Sequence, residues 1–566
     1  MLRKYFMYGA LMVVRKWVRR QLSSRAKRGI CLTRGSKYAL RRSLAALGMT
    51  VTVALALIAA PALAQRPSRD WSGEDRTVIG DFTHIRTVAA ASDRVFVTSP
   101  GALLVWLPHF ERWEGPFTPP DPRLLEEAIG SLVDPLDNSL WLARPDGWTH
   151  YEPELDAWTS GDVPARVQGM AFDLASPLGG LLLQTSSGWL QVPRGGFAAV
   201  STDPPAQPLR PGSAAELLRT NPSFQALGSQ FLLDGRLTEA RLTAAARSFD
   251  RLGWYIGTSG VGLLYLREGA AIPDRLSFGL AGEELTAVFA APGGVWAASA
   301  RTRTRPTALS FVASDLSAFR TVLGPPATGL PFTVVRQLIG QGTTLWAATD
   351  GGVARIEPGS GRVDITDDRL GLPDGRVYAI AARRGWIAVG TAHGAARMTD
   401  SAAVIRIAPS FSDAAYAVAI AGDTTWIGTA TGLFFTLSRD GDLVRPAGLG
   451  TVAAREPVLG LAWLGETLVA LTPERLISRD ARGRWEIGPV LSTQVGRLRA
   501  LAPDGAGVWV AGERGAGFAR LDLPIVRPLM IGDLPGEPRD IAVDPDHLWV
   551  ATSAGLVRFR RDAVRP

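Results

Sequence analysis

Leu345-Trp346-Ala347-Ala348-Thr349-Asp350-Gly351-Gly352-Val353-Ala354-Arg355 reads as an apolar strand, a tight polar turn and a second apolar strand. The pattern returns at Trp426-Ile427-Gly428-Thr429-Ala430-Thr431-Gly432-Leu433 and at Val508-Trp509-Val510-Ala511-Gly512. It returns once more at Leu548-Trp549-Val550-Ala551-Thr552-Ser553-Ala554-Gly555-Leu556-Val557-Arg558. Counted at the aromatic, Trp346 to Trp426 is 80 residues, Trp426 to Trp509 is 83 and Trp509 to Trp549 is 40. The unit is therefore about 40 residues, and two of the steps span two units each. Ala388 and Val469 mark the skipped copies, and Tyr255 and Trp296 precede Trp346. Phe96, Trp141 and Leu182 mark earlier ones, for eleven units in all.

A repeat of that length with several short strands predicts an all-β fold, a β-propeller of about eleven four-stranded blades. Each blade buries its faces against its neighbours. Phe96, Trp141, Tyr255, Trp296, Trp346, Trp426, Trp509 and Trp549 are thus structural repeat positions, placed for packing. Eleven blades exceed the usual range of about four to eight for one ring. Two tandem propellers are expected, with one unusually large ring as the alternative. The Pro/Gly-rich run Gly324 to Pro331 suggests the cut, giving residues 65–323 (about five blades) and 324–566 (about six blades). The Leu182 to Tyr255 step, 73 residues, carries an insertion at 203–242. Ser213 reads as the N-cap of a short helix running to Arg219, and Gly235 to Thr243 as a second helix or a returning strand. The insertion is expected to cap a propeller mouth or to pack as a spacer on the side of a blade. Deleting 203–242 is expected to leave the fold intact but alter binding, and a failure to fold would mark the segment as structural.

The 566 residues carry 61 Lys+Arg against 53 Asp+Glu, a basic balance that points toward nucleic acid or anionic membrane. The distribution cancels that inference. Residues 1–64 hold 13 basic side chains and no acidic ones, leaving 48 basic against 53 acidic after them, a balance of −5. Arg41-Arg42, the apolar run Leu44 to Ala60 and Pro61-Ala62-Leu63-Ala64 form a signal-peptide pattern, with cleavage expected after Ala64. A periplasmic or secreted protein is predicted, with no stable membrane span after cleavage and no nucleic-acid partner. The single cysteine, Cys31, lies in this leader and excludes an intrachain disulfide framework.

The Leu-Trp-(Ile/Val)-Gly-Thr-x-x-Gly-Leu pattern resembles the two-component regulator propeller repeat. Asp367-Asp368-Arg369-Leu370-Gly371-Leu372-Pro373-Asp374-Gly375-Arg376-Val377-Tyr378-Ala379-Ile380 resembles that family's connector between blades. The resemblance implies an extracytoplasmic sensor-like module. Members often form the sensing part of hybrid histidine kinases, whereas here Trp549 opens the last unit and the sequence runs only to Pro566. A module without its own kinase is the expectation.

Reactive constellations are sparse. His84, His109, His150, His393 and His547 lack zinc spacing, and no Lys follows Lys37, so no Walker loop can form. Gly257-Thr258-Ser259-Gly260-Val261-Gly262 matches neither a nucleophile elbow nor a dinucleotide turn. No catalytic, cofactor or metal residue is assigned, and no cofactor is expected. Arg301, Arg303 and Arg305 are weak candidates for contacting an anion. The expected function is an exported non-catalytic propeller that binds a ligand or protein, for instance a glycan or a membrane signalling partner. The alternative is an extracytoplasmic carbohydrate-active enzyme with carboxylates from different blades meeting at the axis.

Overall fold

The computed structural model describes residues 71–565 apart from 223, 225–230, 234–238, 304, 325–328, 384, 400, 438–441, 451–452 and 506. The leader and its cleavage site, Cys31 and part of the Pro/Gly-rich run at 324–331 lie outside the described residues. Among the described residues the strands form eleven antiparallel sheets, most of them four-stranded meanders, so the fold is the expected all-β propeller architecture. No helix of the described residues is long and apolar enough to cross a membrane.

The local chemistry of the repeat explains the sheets. Thr349 ends a strand, and its hydroxyl donates to the Gly352 carbonyl at 2.7 Å, closing the hairpin. The same bond recurs from Thr391 to Gly394, from Thr429 to Gly432 and from Thr552 to Gly555. Gly352 has φ +128°, and a Cβ there would stand 2.4 Å from the Thr366 carbonyl oxygen, so only glycine fits. Trp296, Trp346, Trp426, Trp509 and Trp549 each lie in the second strand of a sheet and are at most 7% exposed. Phe96, Trp141 and Tyr255 hold the same place in the earlier sheets and are equally buried.

The innermost strands of the last seven sheets are Leu285–Ala291, Val335–Gln341, Val377–Arg383, Ala415–Ala421, Gly460–Leu464, Leu498–Asp504 and Pro538–Val543. Each packs on the next, and Pro538–Val543 packs back on Leu285–Ala291, so the seven sheets make a closed circuit. The eleventh sheet, Pro538–Val543, His547–Thr552 and Gly555–Arg560, takes its outer strand from far upstream. That strand is Arg76–Ile79, paired antiparallel with residues Leu556 to Phe559. The expected cut at Gly324 falls inside this circuit, because the sheet containing Trp296 packs between the eleventh sheet and that of Trp346.

The first four sheets form a second group. The inner strand Thr87–Ala90 packs on both Gly130–Val133 and Glu239–Arg247, and Gly130–Val133 packs on Val167–Asp173. The insertion bridges the third and fourth of these sheets. Pro208–Leu209 adds to the inner edge of Val167–Asp173, and a Cβ at Gly212 would stand 2.5 Å from the Ala245 carbonyl oxygen. Ser213 caps the helix Ala214–Thr220 by accepting from the Glu216 amide at 3.1 Å. Leu217 and Phe224 then join Trp254, Ile256 and Leu264 in one buried cluster. Residues Glu239–Arg247 form the returning strand and not a helix. The insertion therefore supplies core and inner strand.

Candidate functional site

Six of the seven inner strands carry a β-bulge at their second residue. The bulged residues are Thr286, Arg336, Tyr378, Tyr416, Arg499 and Arg539. A bulge leaves one residue out of the ladder and re-aims its side chain, here at the start of each strand beside the circuit's axis. Arg336, Tyr378, Tyr416 and Arg499 line a pocket of about 130 Å³ on that axis, with Gln337, Asp540 and small and aliphatic residues at the starts of the inner strands.

The side chains form two arcs. In one, the Arg336 guanidinium lies 5.0 Å from the centre of the Tyr378 ring, and the Tyr378 and Tyr416 rings are 5.2 Å apart. Arg336 is exposed and forms no ion pair among the described residues. In the other, Arg499 pairs with Glu537 at 2.7 Å and Glu513 at 3.3 Å, and Arg539 pairs with Glu537 at 3.0 Å. The first arc offers an uncommitted cation beside two aromatic faces; the second is neutralised internally.

One residue deeper, the strands carry Ala287, Gln337, Ala379, Ala417, Gly460, Ala500 and Asp540. The two polar members stitch neighbours together. Gln337 accepts from the Ile380 amide at 2.8 Å, and Asp540 accepts from the Val288 amide at 2.8 Å across the seam where the circuit closes. Burial pushes the Asp540 carboxyl up to about 7, against the amides of Val288 and Ile541, which favour its charged form. Its folded pKa lies above the unfolded value of about 3.9, so protonation is favoured in the fold. This contribution to stability is complete below about pH 4 and is lost as the pH rises through 7. Asp540→Asn is expected to gain on wild type in melting temperature as pH climbs over that window. A difference independent of pH would show that Asp540 is ionised throughout.

The Arg group singled out from sequence does not assemble. Arg301 and Arg303 are exposed, while Arg305 pairs with Asp81 at 2.5 Å and donates to Thr83 at 2.6 Å. The histidines stay apart: His84 contacts Ser259, His150 Ser139, His393 Asp374, and His547 Asp544. Among the described residues no cluster of three or more metal-ligating side chains occurs. The axial residues were missed in sequence, although a signal exists. Thr286, Arg336, Tyr378, Tyr416, Arg499 and Arg539 each stand ten residues ahead of the repeat position.

No family model and no curated protein matches the chain. Similar solved structures include the extracellular domain of the hybrid two-component-system protein BT4673 of B. thetaiotaomicron. It shares 11% identity over 88% of this chain and 71% of that one, with a TM-score of 0.37. PorZ, a surface component of the type-IX secretion system of Porphyromonas gingivalis, shares 12% identity over 84% of this chain and 69% of its own, with a TM-score of 0.41. The computationally designed protein Ika8 shares 14% over 57% of this chain and 96% of its own, with a TM-score of 0.37.

Proposed function

We propose that the protein is an exported, non-catalytic binding module made of two propellers. One has four sheets spanning residues 87–276; the other has seven, spanning 285–560 and completed by 76–79. The ligand docks at the axial mouth of the seven-sheet propeller and combines an anionic group with a flat, weakly polar face. The observation that carries this reading is the arc of Arg336, Tyr378 and Tyr416, a guanidinium with no ion partner among the described residues beside two paired rings. Arg recognises carboxylate, sulfate or phosphate by its fork of donors, and aromatic faces accept the apolar side of a sugar or peptide. Export is supported by the signal-peptide pattern ending at Ala64.

The carbohydrate-active alternative needs two facing carboxylates about 5–10 Å apart. Among the residues lining the axial pocket the only carboxylate is Asp540, and both its oxygens accept backbone amides. Binding is therefore favoured over hydrolysis.

A thermal-shift panel of acidic and neutral oligosaccharides and peptides tests the reading. Acidic members are expected to raise the melting temperature, and Arg336→Ala or Tyr416→Ala to weaken binding about tenfold with the unliganded melting temperature unchanged. Shifts in both variants as large as in the wild type would place the ligand elsewhere.

A further inference from the structure

In a four-stranded meander the turns joining strands one and two, and three and four, lie on the same face. Six large apolar side chains of the described residues are at least 71% exposed: Phe110, Leu155, Leu178, Phe197, Phe249 and Ile272. All six sit in such turns of the first four sheets, with every one of the four sheets represented. Solitary exposed apolar residues are ordinary, and Leu437 of the other group follows at 69%, but the concentration of the six most exposed ones on one face of one group points to an interaction surface.

The same face holds a pocket of about 300 Å³. The Trp141 and His150 rings, stacked 4.1 Å apart, line it together with the carboxylates of Asp137, Glu152 and Glu154. Leu155, itself 71% exposed, also contributes to the lining. The one cation in the lining, Arg194, is held by the buried Asp134 at 2.7 Å. Across the eight turns of this face (91–94, 108–111, 134–139, 153–156, 174–180, 193–199, 248–252 and 268–273) stand eight carboxylates and three arginines, a balance of −5.

We propose that this face docks a segment of another protein that carries a Lys or Arg side chain flanked by apolar residues. The cation enters the Trp141–His150 pocket, and the apolar flanks cover the exposed tips. The charge selects the occupant. An anionic bilayer would be repelled by the acidic balance, and a neutral one would have no use for the carboxylate-lined pocket. The site is separate from the axial mouth, which lies in the other propeller.

Fluorescence titration with an amphipathic Leu/Lys peptide, its Leu/Glu counterpart, and phosphatidylethanolamine–phosphatidylglycerol vesicles tests the proposal. The Leu/Lys peptide is expected to bind. Glu152→Gln with Glu154→Gln should weaken it about tenfold, as should Leu155→Ser with Phe197→Ser. Tyr378→Ala, at the axial mouth, should leave it unchanged. Glu154, Leu155 and Phe197 are exposed and Glu152 is half-buried, and an unchanged melting temperature would confirm that both double variants fold. Equal binding of the Leu/Glu peptide, no binding of the Leu/Lys peptide, or vesicle binding insensitive to the Leu155 and Phe197 changes would overturn it. Failure of the axial variants to affect acidic ligands bears only on the axial reading.

Discussion

Trp549→Ala is expected to destabilise the seven-sheet propeller by about 3–5 kcal/mol, measured as a lowered midpoint in urea with an unchanged slope. The residue is 0% exposed in the second strand of the eleventh sheet. It packs in one cluster with Ile79 of the closing strand and with Leu285, Val288 and Val295 of the neighbouring sheet. The indole thus joins three stretches of chain that are far apart in sequence. Its N–H also donates to Asp544 at 2.7 Å. Burial tends to raise the Asp544 carboxyl, but donors from His547, Trp549 and two backbone amides outweigh it and hold the group well below the usual carboxylate range. Truncation would open a cavity and remove one of those donors together. Since whole domains are stable by only about 5–15 kcal/mol, the loss is a large fraction of the total. Trp549→Phe keeps much of the volume and should cost less, its hydrogen bond alone being worth about 1 kcal/mol. A loss below about 1 kcal/mol for the alanine variant would show that the seam does not depend on this side chain.

Deleting residues 203–242 is expected to abolish cooperative folding of the four-sheet group. The deletion removes the strand Pro208–Leu209, the helix Ala214–Thr220, the strand Phe231–Leu233 and the first residues of Glu239–Arg247. Leu217 at 0% exposure and Phe224 at 4% go with it, uncovering Trp254 and Ile256. Burying side chains of that size stabilises by about 1.5–3 kcal/mol each, and the lost inner strand adds broken ladder bonds. Near-ultraviolet circular dichroism and limited proteolysis report the outcome. Loss of protection centred on residues 87–276 is expected, because the deleted segment packs there and the seven-sheet circuit takes only the strand Arg76–Ile79 into its ladders from upstream, while Ile85, Val88 and Phe278 share a buried cluster with Leu285, Val288 and Trp549. Retention of a native-like spectrum and protease resistance would return the insertion to the role of an external cap.

Much of this fold is legible in the chain before any coordinates, for a plain physical reason. A blade repeats its local environment, so Trp346, Trp426, Trp509 and Trp549 meet the same packing demand and recur at a common spacing. Thr349 and Gly352 recur with them because a hydroxyl and a missing Cβ close each hairpin. Period, strand content and the number of units follow from short-range sequence alone. The helix begun by Ser213 is legible for the same reason, since capping is satisfied within a few residues.

What the sequence by itself could not decide is how the units close. Connectors between blades use the same Pro/Gly chemistry within a ring as between rings, so Gly324 to Pro331 carries no mark of its own. Closure depends on contacts between residues hundreds of positions apart: Arg76–Ile79 with Leu556 to Phe559, and Asp540 with Val288. The candidate site has the same origin. Arg336, Tyr378, Tyr416 and Arg499 come from four units, and only the circuit turns their shared offset from the repeat position into one axial mouth. Local periodicity determined the blades; the long-range packing of their inner strands decided the rings and what faces their axis.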